Sequence, residues 1–312
     1  MKNILKSFLV IFVCCFSNIR AQQDPGFTQY TYNMSVINPA YATGTPEIIN
    51  FGAFHRSQWV GAVGGPITNT FFAHMPVSNK IETGLSFVND DIGDGALKEN
   101  NIYADFAYIL NLSQTHKLSF GIKAGATFLN TNFNDFQLES GAVNTDPAFS
   151  ENLNRVFPNF GTGIYFYTND YYVGFSTPNL LNSKHLNTID GVQRLGQEAI
   201  HMYLTGGYVF DLDKNFKIKP SFMARTVEGV PPMFDFSTNI LFRDRFELGV
   251  SYRYDDSFSG LAKFGITPNL HIGYAYDYTT TNLGNFNSGS HEIFILFNLN
   301  FNKGYDKSPR FF

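Results

Sequence analysis

The chain has 312 residues, of which 17% are aromatic and only 15% are charged, and its formal net charge is −4. This negative charge, which grows when the three basic residues of the first 21 are removed, argues against nucleic acid as a partner. The only cysteines are Cys14 and Cys15, so the chain beyond them has no thiol for a disulfide, a thiolate metal site or a cysteine nucleophile.

Residues 1–21 are predicted to be an export signal peptide. A short positive region precedes an apolar run at 8–16, and Ala21 is the predicted cleavage site. The apolar run is too short to cross a membrane as a helix. The alternative is a lipoprotein anchored through one of the two cysteines, but Val13 stands where a small residue is usual.

Residues 22–46 are predicted to form a separate N-terminal segment. They are polar and aromatic, and Asp24-Pro25 and Asn38-Pro39 are turn signals. The segment either folds into the lumen of a barrel as a plug or lies below it in the periplasm. Residues 38–40 (NPA) are similar to an element in the hatch of the fourteen-stranded FadL-like transporters. They therefore either gate a path for a hydrophobic ligand or, as we favour, brace the base of the barrel.

Residues 47–301 alternate between apolar and polar side chains with a period of two, which is typical of β-strands. The mean hydropathy is only −0.13 in spite of 34 Phe and 17 Tyr. Apolar residues facing lipid and small polar residues facing a lumen give such an average. We predict fourteen strands, near 47–56, 66–75, 81–89, 99–109, 116–129, 160–168, 171–177, 200–210, 215–226, 233–242, 245–254, 258–266, 269–278 and 290–301.

The links between these strands indicate a membrane barrel. Links after even-numbered strands are short, and most links after odd-numbered strands are longer, notably 130–159 and 178–199. Outer-membrane barrels have short periplasmic turns, long outer loops and both termini in the periplasm. In hydrocarbon every backbone N–H and C=O must be paired, so the sheet must close. The sequence therefore predicts an all-β fold, a transmembrane antiparallel outer-membrane β-barrel of about 14 strands with residues 302–312 as a periplasmic tail. The alternative is a soluble β protein.

Two groups of side chains have predicted positions in this barrel. Aromatic residues near strand ends are expected in the girdles at the membrane interfaces: Tyr103, Tyr108, Tyr165, Tyr167, Tyr171 and Tyr278. The alternation places charged residues on the inner face: Lys117, Lys123, Lys217, Lys219, Arg225, Arg253, Lys263, Asp105, Asp235, Glu247 and Asp277. These charges either give a pore its selectivity or pair and fill the lumen. A small plugged barrel has little room for a wide channel.

Several stretches carry a family resemblance. They are residues 23–25 (QDP), 27–30 (FTQY), 37–42 (INPAYA), 55–61 (HRSQWVG) and 308–312 (SPRFF). Together they resemble the PorP/SprF family of outer-membrane proteins, which is linked to type IX secretion and gliding motility. The resemblance implies a barrel that anchors or assists the export of one large surface adhesin. The implied partners are the C-terminal domain of that adhesin and periplasmic, peptidoglycan-linked parts of the secretion machine, besides outer-membrane lipid.

Candidate partner-binding residues lie in three places. Trp59 is the only tryptophan and stands with Arg56 and Gln58 near the outer end of the first strand. Tryptophan and arginine anchor many interfaces, which indicates a docking site. The alternative is a girdle tryptophan with Arg56 in a salt bridge in the lumen. The C-terminal tail is either a docking element or a brace for a strand. The full candidate set is Arg56, Gln58, Trp59, Asn38, Pro39, Tyr41, Pro309, Arg310, Phe311 and Phe312.

Signals for metal or catalytic chemistry are weak. Asp90, Asp91 and Asp94 form a candidate calcium loop, but the EF-hand spacing is missing, and Asp and Gly also suit an ordinary hairpin. The sequence has no G-x-S-x-G motif and no phosphate-binding glycine loop. We therefore predict no enzyme activity and no cofactor. The main alternative function is a FadL-like transporter of small hydrophobic molecules, and a diffusion pore is a third class.

Overall fold

The computed structural model describes residues 26–43, 48–133, 137–138, 141–142, 152–181, 188–189, 192–193, 200–227 and 230–300. The barrel strands are β1 Ile48–Ser57, β2 Ile67–Ser78, β3 Ile81–Ile92, β4 Leu97–Asn111, β5 Lys117–Thr131, β6 Asn154–Tyr167, β7 Tyr171–Thr177, β8 His201–Tyr208, β9 Phe216–Val227, β10 Val230–Phe242, β11 Phe246–Arg253, β12 Ser257–Gly265, β13 Leu270–Thr279 and β14 Ser290–Asn300. Phe210–Asp211 pair with β9 just beyond β8.

The strands form one closed up-and-down sheet. Each strand pairs antiparallel with its neighbours in sequence, and β1 pairs with β14 from Ile48↔Asn300 to Ser57↔His291. Closure leaves no unpaired edge between the first and last strands, which a barrel in hydrocarbon requires. The predicted fourteen-stranded antiparallel barrel is therefore confirmed.

Short elements complete the described chain. The helical ones are a 3₁₀ turn at Tyr30–Tyr32, the single helical turn α1 at Met34–Ile37 and a 3₁₀ turn at Asn282–Phe286. Two small hairpins, each made of two-residue strands, form sheets of their own: Gln137–Leu138 with Gly141–Ala142, and Thr188–Ile189 with Val192–Gln193. Within the described ranges, every helix is too short or too polar to cross a membrane.

The side chains alternate across the wall as the sequence predicts. Outward positions such as Ile122 and Val250 are apolar and more than half exposed, at 62% and 65%. Inward positions such as Asp105, Lys123 and Ser251 are polar and buried. The outer surface thus suits hydrocarbon, and the polar groups meet in the lumen.

Strand β6 begins at Asn154, six residues before its predicted start. The stretch 154–159 contains Pro158, which disfavours a strand because it lacks an N–H. The Phe160 carbonyl accepts a hydrogen bond from Leu180 N–H, so its backbone polar groups point away from β5. With a period of two, Pro158 also points away from β5, so its missing donor costs that ladder nothing.

Three of the six predicted girdle tyrosines are inside the barrel, so the expectation is wrong for them. Tyr103, Tyr165 and Tyr167 face the lumen and are at most 7% exposed, whereas Tyr108 and Tyr278 face outward. Along β6, Gly163, Tyr165 and Tyr167 all point inward. Ile164, which lies between Gly163 and Tyr165, points outward. The rings of Tyr165 and Tyr167 belong to a buried cluster with residues 30, 34, 37 and 40 of the N-terminal segment.

The two rims of the barrel differ. We call the rim with the links after even-numbered strands the turn end; these links are 79–80, 112–116, 168–170, 209–215, 243–245 and 266–269. The other rim is the loop end, with links at 58–66, 93–96, 132–153, 178–200, 228–229, 254–256 and 280–289. The loop-end links are not all longer than the turn-end links, because 228–229 and 254–256 are as short as the turn-end ones. The orientation of the rims in the membrane stays a prediction, and residues 1–21 and 302–312 lie outside the described part.

Candidate functional site

Residues 26–43, here called the plug, lie inside the barrel. Gln29, Tyr30, Asn33 and Asn38 are at most 1% exposed. Hydrogen bonds join the plug to inward side chains or to backbone on β3, β5, β6, β7, β11, β12, β13 and β14. The plug therefore contacts the wall on all sides rather than resting on one strand. The sequence left two placements open for this segment, in the lumen or below the barrel, and the structure places residues 26–43 in the lumen.

A buried charge cluster, here called the loop-end anchor, holds the start of the plug. The N–H groups of Thr28 and Gln29 donate to the two carboxylate oxygens of Glu292, each at 2.9 Å. The Arg56 guanidinium donates to Glu292 at 3.1 Å and to Asp277 at 2.7 Å. The Thr28 hydroxyl also donates to Asp277. Buried charges need such pairing, because an unpaired one is strongly destabilising.

A second cluster, the turn-end anchor, surrounds Tyr32. The Tyr32 hydroxyl donates to Glu247, and Lys263 Nζ lies 2.6 Å from the same carboxylate. The ammonium groups of Lys263 and Lys219 lie 4.4 and 5.1 Å from the centre of the Tyr32 ring. Burial, and next the charge of Glu247, raises the pKa of Tyr32 well above its usual value, so the hydroxyl remains a donor.

The end of the plug leaves the lumen beside β3. Thr43 donates to Glu82 from its N–H at 2.8 Å and from its hydroxyl at 3.2 Å. His74 Nε2 also lies 2.7 Å from Glu82. The ring of Tyr41 contacts those of His74 and Tyr165, with centroids 5.5 and 5.6 Å apart. Tyr41, a predicted partner-binding residue, is thus a packing residue between plug and wall.

Asn38 and Pro39 press against glycines of the wall. Asn38 Nδ2 donates to the Ile164 carbonyl at 3.2 Å, and Asn38 Oδ1 accepts the Ala40 N–H at 2.9 Å. A Cβ on Gly121 would overlap the backbone of Pro39 and Ala40. The chain approaches the wall so closely only because glycine has no side chain. This geometry matches the bracing interpretation of residues 38–40.

Several of the predicted inward charges pair with one another. Besides the two anchors, Lys123 lies 3.3 Å from Asp105 and Arg253 lies 2.6 Å from Asp235. Lys123 Nζ also donates to the Val36 carbonyl of the plug at 3.0 Å. Lys217 is nearer the turn-end rim, between Asp211 and Asp244. These pairs favour a filled lumen over a charge-selective pore.

Arg56, Gln58 and Trp59 do not form one surface. Arg56 is 2% exposed in the loop-end anchor, as in the alternative that placed it in a lumen salt bridge. Trp59, at φ 51°, donates its N–H to Ser290 Oγ at 3.1 Å. Gln58 N–H donates to the Pro66 carbonyl within the 58–66 link. Only Gln58 and Trp59 therefore belong to the loop-end rim.

The loop-end rim carries two exposed apolar side chains that were not among the predicted candidates. Val63 is 99% and Phe286 73% exposed. Their links are tied together, since Val60 N–H donates to the Gly289 carbonyl and Ser288 N–H donates to the Val60 carbonyl. The signal available in the sequence was an isolated valine among small residues, GAVGG at 61–65. Exposed apolar residues beyond a membrane strand are a candidate contact surface.

The calcium candidates have protein partners. Asp90 accepts a hydrogen bond from Thr68 at 2.5 Å, and Asp91 lies 3.2 Å from Lys98. Asp94 is exposed at φ 51°. Among the residues that the structure describes, no three His, Cys, Asp or Glu side chains converge on a metal position. The tail candidates Pro309, Arg310, Phe311 and Phe312 lie outside the described residues.

Comparisons with known proteins agree with this architecture. Residues 19–297 match a family model described as type IX secretion system membrane protein PorP/SprF. Curated proteins give no match. A solved structure of a TodX mutant, a monoaromatic hydrocarbon channel, is similar with a TM-score of 0.51 at 8% identity, over 86% of this chain and 94% of that chain. A Pseudomonas aeruginosa FadL homologue has a TM-score of 0.43 at 12% identity, over 86% and 94% of the two chains. Acinetobacter baumannii Omp33 has a TM-score of 0.42 at 12% identity, over 82% and 100%. The TodX likeness shows a shared fold alone.

Proposed function

Because the chain belongs to the PorP/SprF family of type IX secretion system membrane proteins, we propose that it holds a large secreted surface protein at the outer membrane. The fold is that of an outer-membrane barrel. In this proposal the loop end faces the cell surface and the turn end faces the periplasm, as is usual for such barrels. The protein acts by binding and has no catalytic role.

The filled lumen is the observation that carries the proposal. The plug is fixed by two buried charge clusters and by glycines that admit its backbone closely. A barrel filled in this way is poorly suited to free diffusion of solutes. Its outer face is apolar and suits lipid. The surfaces left for protein partners are therefore the two rims.

The loop end is the proposed seat of the secreted client, through the C-terminal domain of a large surface adhesin. The links 132–153 and 178–200 are the longest of the barrel. At the same end of the barrel, Val63 and Phe286 offer apolar surface on links held by backbone hydrogen bonds. Apolar side chains on a rigid frame lose little entropy on binding, which favours a stable contact.

The turn end is the proposed contact with periplasmic, peptidoglycan-linked parts of the secretion machine. Its short links expose charged side chains, including Lys80, Lys214 and Asp244. A place below the barrel was one of two predicted for the N-terminal segment, but residues 26–43 are enclosed by the wall. The contact below the membrane thus falls to these links and to residues 302–312.

Removing most of the 178–200 link is expected to release the client into the medium while the barrel still inserts. Strands β7 and β8 pair directly, from Tyr203↔Ser176 to Tyr208↔Tyr171, so a short Gly-Ser link can replace residues 178–199. Fractionation followed by immunoblotting measures where the client is. The control inserts the same Gly-Ser stretch into the turn-end link 112–116 and should keep the client on the cell. Full retention of the client without residues 178–199 would exclude that link from the docking surface.

One observation favours the alternative function, which is the transport of small hydrophobic molecules. A cavity of about 70 Å³ lies between the start of the plug and the wall, and Phe27, Ile37, Tyr203 and Met223 are among its lining residues. An apolar cavity of about 150 Å³ is known to hold benzene. Transport would therefore require the plug to move, and the anchors described above oppose such movement.

A further inference from the structure

The plug runs through the lumen in a defined direction. Its last described residue, Thr43, bonds to Glu82, the second residue of β3, which begins at the turn end. Strand β1 then begins at the same end with Ile48. At the start of the plug, Thr28 and Gln29 bond to Glu292, the third residue of β14, which begins at the loop end. The chain therefore descends from the loop half of the lumen to the turn end.

Gly26, the first described residue, lies on the loop side as well. A Cβ on Gly26 would lie 3.6 Å from Nη1 of Arg225, which is near the loop end of β9. Gly26 also lines the cavity together with Pro178 and Asn179, where the 178–200 link leaves β7. Its half-buried state agrees with a position at this cavity rather than deep in the packed plug.

The depth of this position can be bounded. Arg56 follows Ile48 by eight residues along β1, which is roughly 26 Å at about 3.3 Å per residue. With a strand tilt of about 40°, the loop-end anchor lies on the order of 20 Å from the turn-end rim along the barrel axis. Four residues, 22–25, separate Gly26 from the predicted cleavage site after Ala21. Fully extended, four residues reach at most about 14 Å.

We infer that the N terminus produced by signal-peptide cleavage stays on the loop side of the plug and does not reach the periplasm. This differs from the sequence-based expectation that both termini are periplasmic, and it rests on the orientation given under the proposed function. The described start of the plug, Gly26, shares a cavity with Pro178 and Asn179, where the 178–200 link leaves β7. In this proposal the cleaved terminus is therefore on the same side of the barrel as the surface proposed for the client.

The inference also sets an order of events. A signal peptide that is still held at the inner membrane cannot accompany Gly26 into the loop half of the lumen. Cleavage must therefore precede the seating of residues 26–31, and the loop-end anchor forms only on the mature chain. Thr28 and Gln29 complete the pairing of Glu292 at that stage.

Cysteine labelling tests the inference on the full protein in cells. Both native cysteines precede Ala21, so a single introduced cysteine is the only thiol of the mature chain. The test variant is Gln23→Cys. Val63→Cys marks the loop end, where Val63 is 99% exposed, and Asn79→Cys marks the exposed turn-end link. The probe is a polyethylene glycol maleimide too large to cross the outer membrane, and the readout is its gel shift.

We expect Val63→Cys to be labelled in intact cells and Asn79→Cys only after the outer membrane is permeabilised. Gln23→Cys should either react in intact cells or stay protected until the barrel is unfolded. Labelling of Gln23→Cys together with Asn79→Cys on permeabilisation alone would overturn the inference. If instead Asn79→Cys were labelled in intact cells and Val63→Cys only after permeabilisation, the proposed orientation would be wrong. In that case, labelling of Gln23→Cys under the same conditions as Val63→Cys would still support the direction of the plug. Gly26→Cys, with ordinary contact distances around its Cβ, repeats the test within the described plug.

Discussion

Glu292→Ala is expected to lower the stability of the barrel by about 3–5 kcal/mol, the usual cost of breaking a buried ion pair. The change removes the acceptor of two plug N–H groups and one of the two acidic partners of Arg56. Arg56 keeps Asp277, but the N–H groups of Thr28 and Gln29 lose their partner inside the lumen, at about 1–3 kcal/mol for each buried donor left unsatisfied. These costs overlap, so the first figure is the expected total.

Unfolding of the purified protein in urea, followed by its heat-dependent shift on gels, measures this effect. Ile293→Ala is the matched control, because the next residue along β14 faces outward at 51% exposure and touches neither anchor. We expect a change within about 0.5 kcal/mol for the control, as for most surface substitutions. Equal stability of Glu292→Ala and Ile293→Ala would show that the loop-end anchor contributes nothing to holding the plug.

The same variant should alter ion conduction. Single-channel recording of the unmodified barrel is expected to show little conductance, because the plug fills the lumen. Glu292→Ala should show frequent openings, since the start of the plug loses its main attachment while the turn-end anchor still holds Tyr32. Large, stable currents from the unmodified protein would contradict a plugged barrel.

Gly121→Val is expected to prevent the plug from seating. A Cβ at this position overlaps the Pro39 and Ala40 backbone, which cannot rotate away as a flexible side chain can. Overpacking of this kind costs about 1–3 kcal/mol or more, and here the plug is the part that can yield. We expect the variant to insert as a barrel, to conduct ions and to lose the protection of residues 26–43 from protease.

Gly260→Val provides the control for Gly121→Val. Gly260 lies in β12 on the outer face, and a Cβ there meets no heavy atom within 4 Å. Valine suits a strand, so this change should leave folding, conductance and protease resistance unaltered. If Gly121→Val were as silent and as protected as Gly260→Val, the close approach of residues 38–40 to the wall would not be required for plugging.

The strands were predictable because alternation of side chains is a local property. Each strand of a lipid-facing barrel must present apolar residues with a period of two, and this is visible without knowing its neighbours. The prediction failed at 154–159, where Pro158 hid a strand that pairs with β5 even though the backbone polar groups of Pro158 itself point away from β5. The prediction of girdle positions failed for Tyr165 and Tyr167, because tyrosine suits both a girdle and a packed lumen.

The anchors were beyond sequence reasoning because their members are distant in the chain. Arg56 meets Asp277 and Glu292, more than 200 residues away, only because β1 closes the barrel against β14. The sequence predicted that Glu247 and Asp277 point inward. It did not predict that Glu247 and Glu292 accept hydrogen bonds from the plug. Long-range contacts of this kind follow from closure and register, which alternation alone does not supply.

Purification from native membranes after mild cross-linking tests the central claim most directly. A tag on the barrel should bring down a very large secreted surface protein, cross-linked through residues of the loop end such as the 58–66 and 280–289 links. The matched preparation lacking residues 178–199 should recover much less of it. Recovery of lipid or a small hydrophobic ligand, with no secreted protein attached to the intact barrel, would contradict the account and favour a transporter.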